Sequence, residues 1–233
     1  MEQRTQTTNT AESVRPCKWC QGPVDVPRLD VVHCSDRCRT LHRRSVNLEG
    51  YLRSAGVPKR FLGCSFSTYV GRKEPFAPLT DFPENLSFVF FSGNVGAGKT
   101  HAAVALLRDA ATRDERKGRF VQATALFLEL RASFGQAGFS EEQVFGKYLA
   151  NSVLVIDDLG AEKVSDYVRA SWYHIIEARY AEMRPTVVTS NLSLAEISAA
   201  YGDRIASRIA SGFVLNFRGE DWRLRLREQG AER

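Results

Sequence analysis

The run Gly93-Asn94-Val95-Gly96-Ala97-Gly98-Lys99-Thr100 decides how the rest of this chain is read. It fits the complete phosphate-loop pattern, in which glycines let the backbone turn its N–H groups toward phosphate oxygens. Lysine then reaches the β- and γ-phosphates, and the threonine hydroxyl ligates magnesium. A helix starting at Lys99 adds the positive end of its dipole. The pattern needs a strand before it and a helix after it, and both are expected. Phe88–Ser92 is a short apolar run, and Lys99–Arg113 carries Ala103, Leu106, Leu107 and Ala110 at helical spacing. Residues Gly93 to Thr100, with the adjacent His101, are therefore the expected nucleotide contacts.

Downstream, strands and helices alternate. Strands are expected at Phe120–Ala123, Val153–Ile156, Pro185–Ser190 and Phe213–Phe217. Helices are expected at Leu126–Phe134, Ser165–Met183, from the capping box Ser193-Leu194-Ala195-Glu196 onward, and at Asp203–Ala210. Such alternation predicts an α/β fold with a mostly parallel sheet between helices. Ligands of open α/β sheets bind at the C-terminal edge of the strands. Asp157 and Asp158 end one apolar strand there, and Thr189-Ser190-Asn191 ends the next. Asp157 is expected to hold magnesium and Asp158 to orient and deprotonate a water. Asn191 is expected to orient that water or touch the γ-phosphate, although an ordinary turn ahead of a helix would also place an asparagine there.

The chain has 233 residues, a net charge of +5 and a pI near 9.0, a balance compatible with a nucleic-acid partner. No apolar run reaches bilayer length, and Met1–Glu12 lacks the apolar stretch of a secretory signal, so the chain reads as cytoplasmic. All five cysteines lie at or before Cys64. Clustering of this kind in a cytoplasmic chain points to metal rather than to disulfides. Cys17-x2-Cys20 and Cys34-x3-Cys38 are two chelating pairs that suit a closed tetrahedral zinc site. His33 and His42 are possible substitutes, and Cys64 reads as a packed core residue. The basic residues Arg37, Arg39, His42, Arg43 and Arg44 follow at helical spacing. They suit nucleic acid, an acidic protein partner or simply a solvated helix face. The organisation expected is a disordered 1–14, a zinc module over 15–46, a linker and lead-in over 47–85, and a nucleotide-binding core over 86–233.

Three stretches together, Gly93 to His101, Val155-Ile156-Asp157-Asp158-Leu159-Gly160-Ala161-Glu162 and Val188-Thr189-Ser190-Asn191-Leu192, resemble the AAA+ ATPases of the DnaC-like helicase-loader group. Transposition helpers of the IstB type share this core. The lead-in Gly56-Val57-Pro58-Lys59-Arg60-Phe61 with Cys64-Ser65-Phe66 is similar to the segment ahead of that core, so the likeness covers about residues 51–226. The resemblance implies ATP as the nucleotide, and magnesium-dependent hydrolysis with Lys99 in the catalytic set. It also implies an arginine finger at Arg208, with Arg204 as the alternative, and a sensor arginine at Arg223. It implies head-to-tail self-association and a core without a helical lid domain. Separately, His33-Cys34-Ser35-Asp36-Arg37-Cys38-Arg39 resembles the second half of small zinc-ribbon or treble-clef modules. One departure is that many AAA+ proteins carry glutamate where Asp158 stands. The first functional expectation is a loader that binds a replicative DNA helicase and delivers it to single-stranded DNA. The alternatives are a transposition helper acting on duplex DNA with a transposase, and a zinc-dependent binding module whose ATPase senses nucleotide and turns over weakly.

Overall fold

A computed structural model of the protein describes residues 17, 20, 21, 35–70, 74–79, 82, 86–113, 117–134, 140–219, 221 and 222. Helix α1 (Asp36–Val46) is N-capped by Ser35, and α2 (Leu48–Ser54) by Asn47. Two 3-10 turns follow, at Lys59–Phe61 and Glu74–Leu79. Then come β1 (Phe88–Gly93), α3 (Lys99–Arg113), β2 (Gly118–Gln122), α4 (Ala123–Ser133), α5 (Glu141–Leu149), β3 (Val153–Leu159), α6 (Asp166–Ala181), β4 (Thr186–Ser190), α7 (Leu194–Tyr201), α8 (Asp203–Ala210) and β5 (Phe213–Phe217).

The five strands form one parallel sheet in the order β2-β3-β4-β1-β5. The chain crosses from β1 out to β2 and returns through β3 to β4, which pairs β1, so the sheet order reverses beside the phosphate loop. Side chains alternate across this sheet with period two. Val89, Phe91, Val153, Val155 and Val187 face one apolar cluster, built with α3. Phe88, Phe90, Leu154, Ile156 and Val188 face the other, built with α4, α6 and α8.

Every residue from Ala102 to Leu107 in α3 is buried. A helix apolar all round must be covered on its outer side as well as by the sheet. The cover comes from the N-terminal elements: α1 and α2 pack on α3, and Leu52, Val57, Leu62, Phe76, Leu79 and Phe82 join the same cluster as β1. The stretch 47–85, read in sequence as linker and lead-in, thus supplies core residues. Its backbone also extends the sheet edge, since the Phe120 N–H donates to the Ala55 carbonyl at 2.7 Å.

Element boundaries differ from the sequence reading in a few places. The second strand ends at Gln122, and the helix starts directly at Ala123. Helix α5 was not expected, although Ser140 and Gln143 form a complete capping box at its start. At the strand edge remote from the phosphate loop, Arg179 is fully buried. It donates to the carbonyls of Tyr148, Asn151 and Pro185 and to the Thr186 hydroxyl at 2.8–2.9 Å. Burial, helped by nearby Arg184, pushes its pKa down. The carbonyls offset that desolvation, and leaving them unpaired would cost about 1–3 kcal/mol for each group.

Candidate nucleotide site

The phosphate loop leaves β1 at Gly93 and enters α3 at Lys99. Gly93, Gly96 and Gly98 all have positive φ, which favours residues without a Cβ. At Gly96 an added Cβ would strike the Asp221 carboxylate, and at Gly98 the Tyr69 ring. The loop is therefore closed in by the lead-in on one side and by Gly219, Asp221 and Trp222 on the other. The Trp222 N–H donates to the Gly96 carbonyl at 3.3 Å, and the Asn94 amide to the Gly219 carbonyl at 3.4 Å. His101 lies between the loop and the lead-in: its Nε2 is 2.9 Å from the Ser65 carbonyl and 3.2 Å from the Thr68 hydroxyl. Val95 is exposed at the loop tip, and Ala97 is buried beneath it.

An open cleft of about 560 Å³ lies over the loop. Lys99, Thr100, His101, Asp157, Asp158 and Asn191 all line it, so side chains from three separate sheet crossovers converge there. The buried Lys99 ammonium donates to the Gly93 and Asn94 carbonyls at 2.7 Å and to Asn191 Oδ1 at 2.8 Å. Asn191 in turn donates from Nδ2 to Asp158 Oδ1 at 3.0 Å. One amide thus ties the phosphate-loop cation to the second aspartate.

Asp157 is nearly fully buried, and its Oδ1 accepts from the hydroxyls of Thr100 and Thr189, each at 2.8 Å. Burial raises its pKa, while the two hydroxyls and the Lys99 charge work in the opposite direction. A carboxylate paired with a threonine hydroxyl is a hard oxygen donor set, the kind that magnesium takes beside phosphates. Asp158 sits on a register irregularity between Ile156 and Leu159, with φ +61°. Aspartate is among the few residues that tolerate this left-handed conformation, and strained backbone of this type clusters at functional sites. The Asp158 N–H donates to Thr189 Oγ1 at 2.9 Å, so Thr189 fixes both aspartates at once.

Three further lining residues were not singled out as site residues by sequence: Arg60 and Phe61 from the lead-in turn, and Gln122 from the end of β2. Thr189 is a fourth. The signal available for Thr189 was its position at the end of β4, beside the aspartates that end β3.

Arg208 does not line this cleft. It lies on α8 against α6, with Nε 3.0 Å from Glu177 Oε2 and its guanidinium 4.6 Å from the Tyr180 ring centroid. Arg204 is exposed on the same helix, beside Arg169 and Tyr173. Arg223 lies outside the described residues. Among the cysteines, the Sγ atoms of Cys17, Cys20 and Cys38 lie within 4.8 Å of one another, whereas Cys34 lies outside the described residues. Thiolates gathered this closely have the chemistry of a structural zinc site. Cys64 is buried in the core, and burial raises its thiol pKa.

The sequence model of the family described as IstB-like ATP binding protein matches residues 76–229. The chain belongs to this family. Within curated relatives, it is 24% identical over 177 residues to the replicative helicase loader DnaC of Escherichia coli K12, covering 72% of each chain. It is 26% identical over 206 residues to the uncharacterized protein YdaV of the same organism, covering 83% of this chain and 82% of that one. A crystal structure of the DnaC helicase loader superposes with a TM-score of 0.60 at 26% identity, over 69% of this chain and all of that one. The fold is accordingly the α/β, AAA+ type expected, and ATP is the nucleotide this IstB-like chain is built to bind. No helix among the described residues is long and apolar enough to cross a membrane.

Proposed function

We propose that the chain is a magnesium-dependent ATPase that loads a replicative DNA helicase onto single-stranded DNA. The observation that carries the ATPase reading is the convergence of Lys99, Thr100, Asp157, Asp158 and Asn191 on one cleft. Lys99 holds the terminal phosphates, and magnesium, with Thr100 and Asp157 as its protein ligands, would neutralise developing charge on them. Asp158, held by Asn191, takes a proton from water as the water oxygen bonds to the γ-phosphorus. The bond to the β-phosphate bridging oxygen breaks, giving ADP and phosphate. Arg208 of a neighbouring copy is the proposed finger, which requires it to leave Glu177 and reach across a head-to-tail contact. Arg223 is the proposed sensor arginine.

Similarity to helicase loaders over 72% of each chain supports the loader role. In this reading zinc on Cys17, Cys20, Cys34 and Cys38 holds the N-terminal segment that meets the helicase, while the ATPase core handles DNA. The IstB-like family match favours a second reading, a transposition helper that acts on duplex DNA with a transposase. The deciding experiment incubates the purified protein with ATP, candidate helicases and transposases, and labelled single- and double-stranded DNA. Loading predicts ATP-dependent transfer of a helicase to the single strand. Duplex preference with transposase capture would replace the loader reading by the second one.

A further inference from the structure

Glu162 follows β3 just behind the cleft, and among the described residues it has no ion-pair partner, yet α6, α7 and the turn after Asp158 converge on it. Its Oε1 accepts the Trp172 indole N–H of α6 at 2.6 Å and the Tyr201 hydroxyl of α7 at 2.8 Å. Its Oε2 accepts the Gly160 N–H at 3.2 Å. Trp172 and Tyr201 are both buried, so these are donors that must find an acceptor inside the protein.

The two ends of this junction matter. On one side, Gly160 (φ +100°) and the Ala161 N–H, which donates to the Asp158 carbonyl at 3.1 Å, close the turn directly after Asp158. Asp158 itself sits at φ +61°, so its side-chain direction depends on how that turn is held. On the other side, Tyr201 is the last residue of α7, and Gly202 (φ +101°) both ends α7 and starts α8. Arg204 and Arg208 ride on α8. The Arg169 Nε–H, donating to the Ala200 carbonyl at 2.9 Å, binds the same corner to α6.

We propose that Glu162 is a positioning residue that couples the Asp157–Asp158 turn to the α7–α8 corner bearing the arginines. The proposal rests on the ATPase reading above. Trp172 gives it a built-in reporter, because its indole donates to the coupling carboxylate.

The test uses Glu162→Gln, Tyr201→Phe and the double variant in the full-length chain. Glu162→Gln keeps shape but exchanges one acceptor for a donor, and Tyr201→Phe removes the α7 leg alone. ATP affinity by titration is expected to stay within about twofold, while kcat falls about tenfold in each single variant, and the double variant should be no slower than the slower single one, since residues in one network do not add. In a Trp19→Phe, Trp222→Phe background, ATP with magnesium is expected to shift Trp172 emission, and Glu162→Gln to abolish that shift. Unchanged kcat, multiplied effects in the double variant, or a parallel loss of ATP affinity would overturn the proposal. If the wild type proves unable to hydrolyse ATP, the ATPase reading fails separately. The emission arm then decides: a shift that persists in Glu162→Gln overturns the coupling, and its loss supports it.

Discussion

Lys99 of the phosphate loop donates to Asn191 Oδ1 at 2.8 Å, although 92 positions separate the two residues. The other end of that amide holds Asp158. Asn191→Ala should therefore leave ATP bound within a few-fold of wild type, because the loop and Lys99 remain. Turnover should fall by about 10–100-fold, since the carboxylate proposed to activate water loses its orienting donor. Steady-state hydrolysis beside nucleotide titration separates the two effects. Equal losses in both would mean that Asn191 serves binding alone.

Asp158→Asn should keep ATP binding and stop turnover, with kcat reduced by about 10²-fold or more. Asparagine tolerates the left-handed backbone as aspartate does, so the φ of +61° gives no reason for misfolding. Circular dichroism should match wild type while phosphate release disappears. Wild-type turnover by the variant would remove Asp158 from the mechanism.

The phosphate loop, the aspartate pair and the alternating strands were legible because each depends on residues close in sequence. The spans of α3, α8 and β5 follow from local periodicity in the same way. Contacts made across the fold were not legible. Leu52, Val57, Leu62 and Phe76 fit neither helical nor strand periodicity, and only the need to cover the outer side of the apolar helix α3 explains their burial. Arg60 reaches the cleft because the lead-in packs beside β2, where the Phe120 N–H donates to the Ala55 carbonyl, a contact no local pattern announces; Gln122 reaches it from the end of β2, opposite Asp157. The α5 capping box is written at Ser140 and Gln143, but Val144, Phe145 and Tyr148 form too short an apolar stripe to define a helix on their own. Thr189 is a single hydroxyl at a strand end, and its hold on both aspartates exists only in the folded sheet.

Protein purified without chelators should carry one zinc per chain by elemental analysis. Cys38→Ser should lose it, because Cys38 lies among the clustered thiols. Since α1 also packs on α3, limited proteolysis should cut the N-terminal segment of the variant faster, whereas the sheet should persist. Metal-free wild-type protein would contradict the assignment.

Arg208→Ala should bind ATP nearly as wild type but fail to hydrolyse it, as finger arginines contribute about 10³–10⁵ in rate. Mixing it with Lys99→Ala should restore activity, because one copy brings the loop and the other the arginine. Within its own chain Arg208 is held by Glu177 and Tyr180, so Glu177→Gln should not abolish the rescue. A mixture that stays inactive, although each variant assembles with wild type, would move the role to Arg204.

Calorimetric titration of ATP with magnesium into wild type and Lys99→Ala decides whether this cleft binds ATP through its phosphate loop. Lys99 places its ammonium at the loop mouth, against the Gly93 and Asn94 carbonyls. The wild type should bind in a 1:1 ratio, and the variant should lose about 100-fold or more in affinity, some 2.7 kcal/mol. Equal affinity of the two proteins for ATP would mean that Lys99 and its loop do not hold the nucleotide.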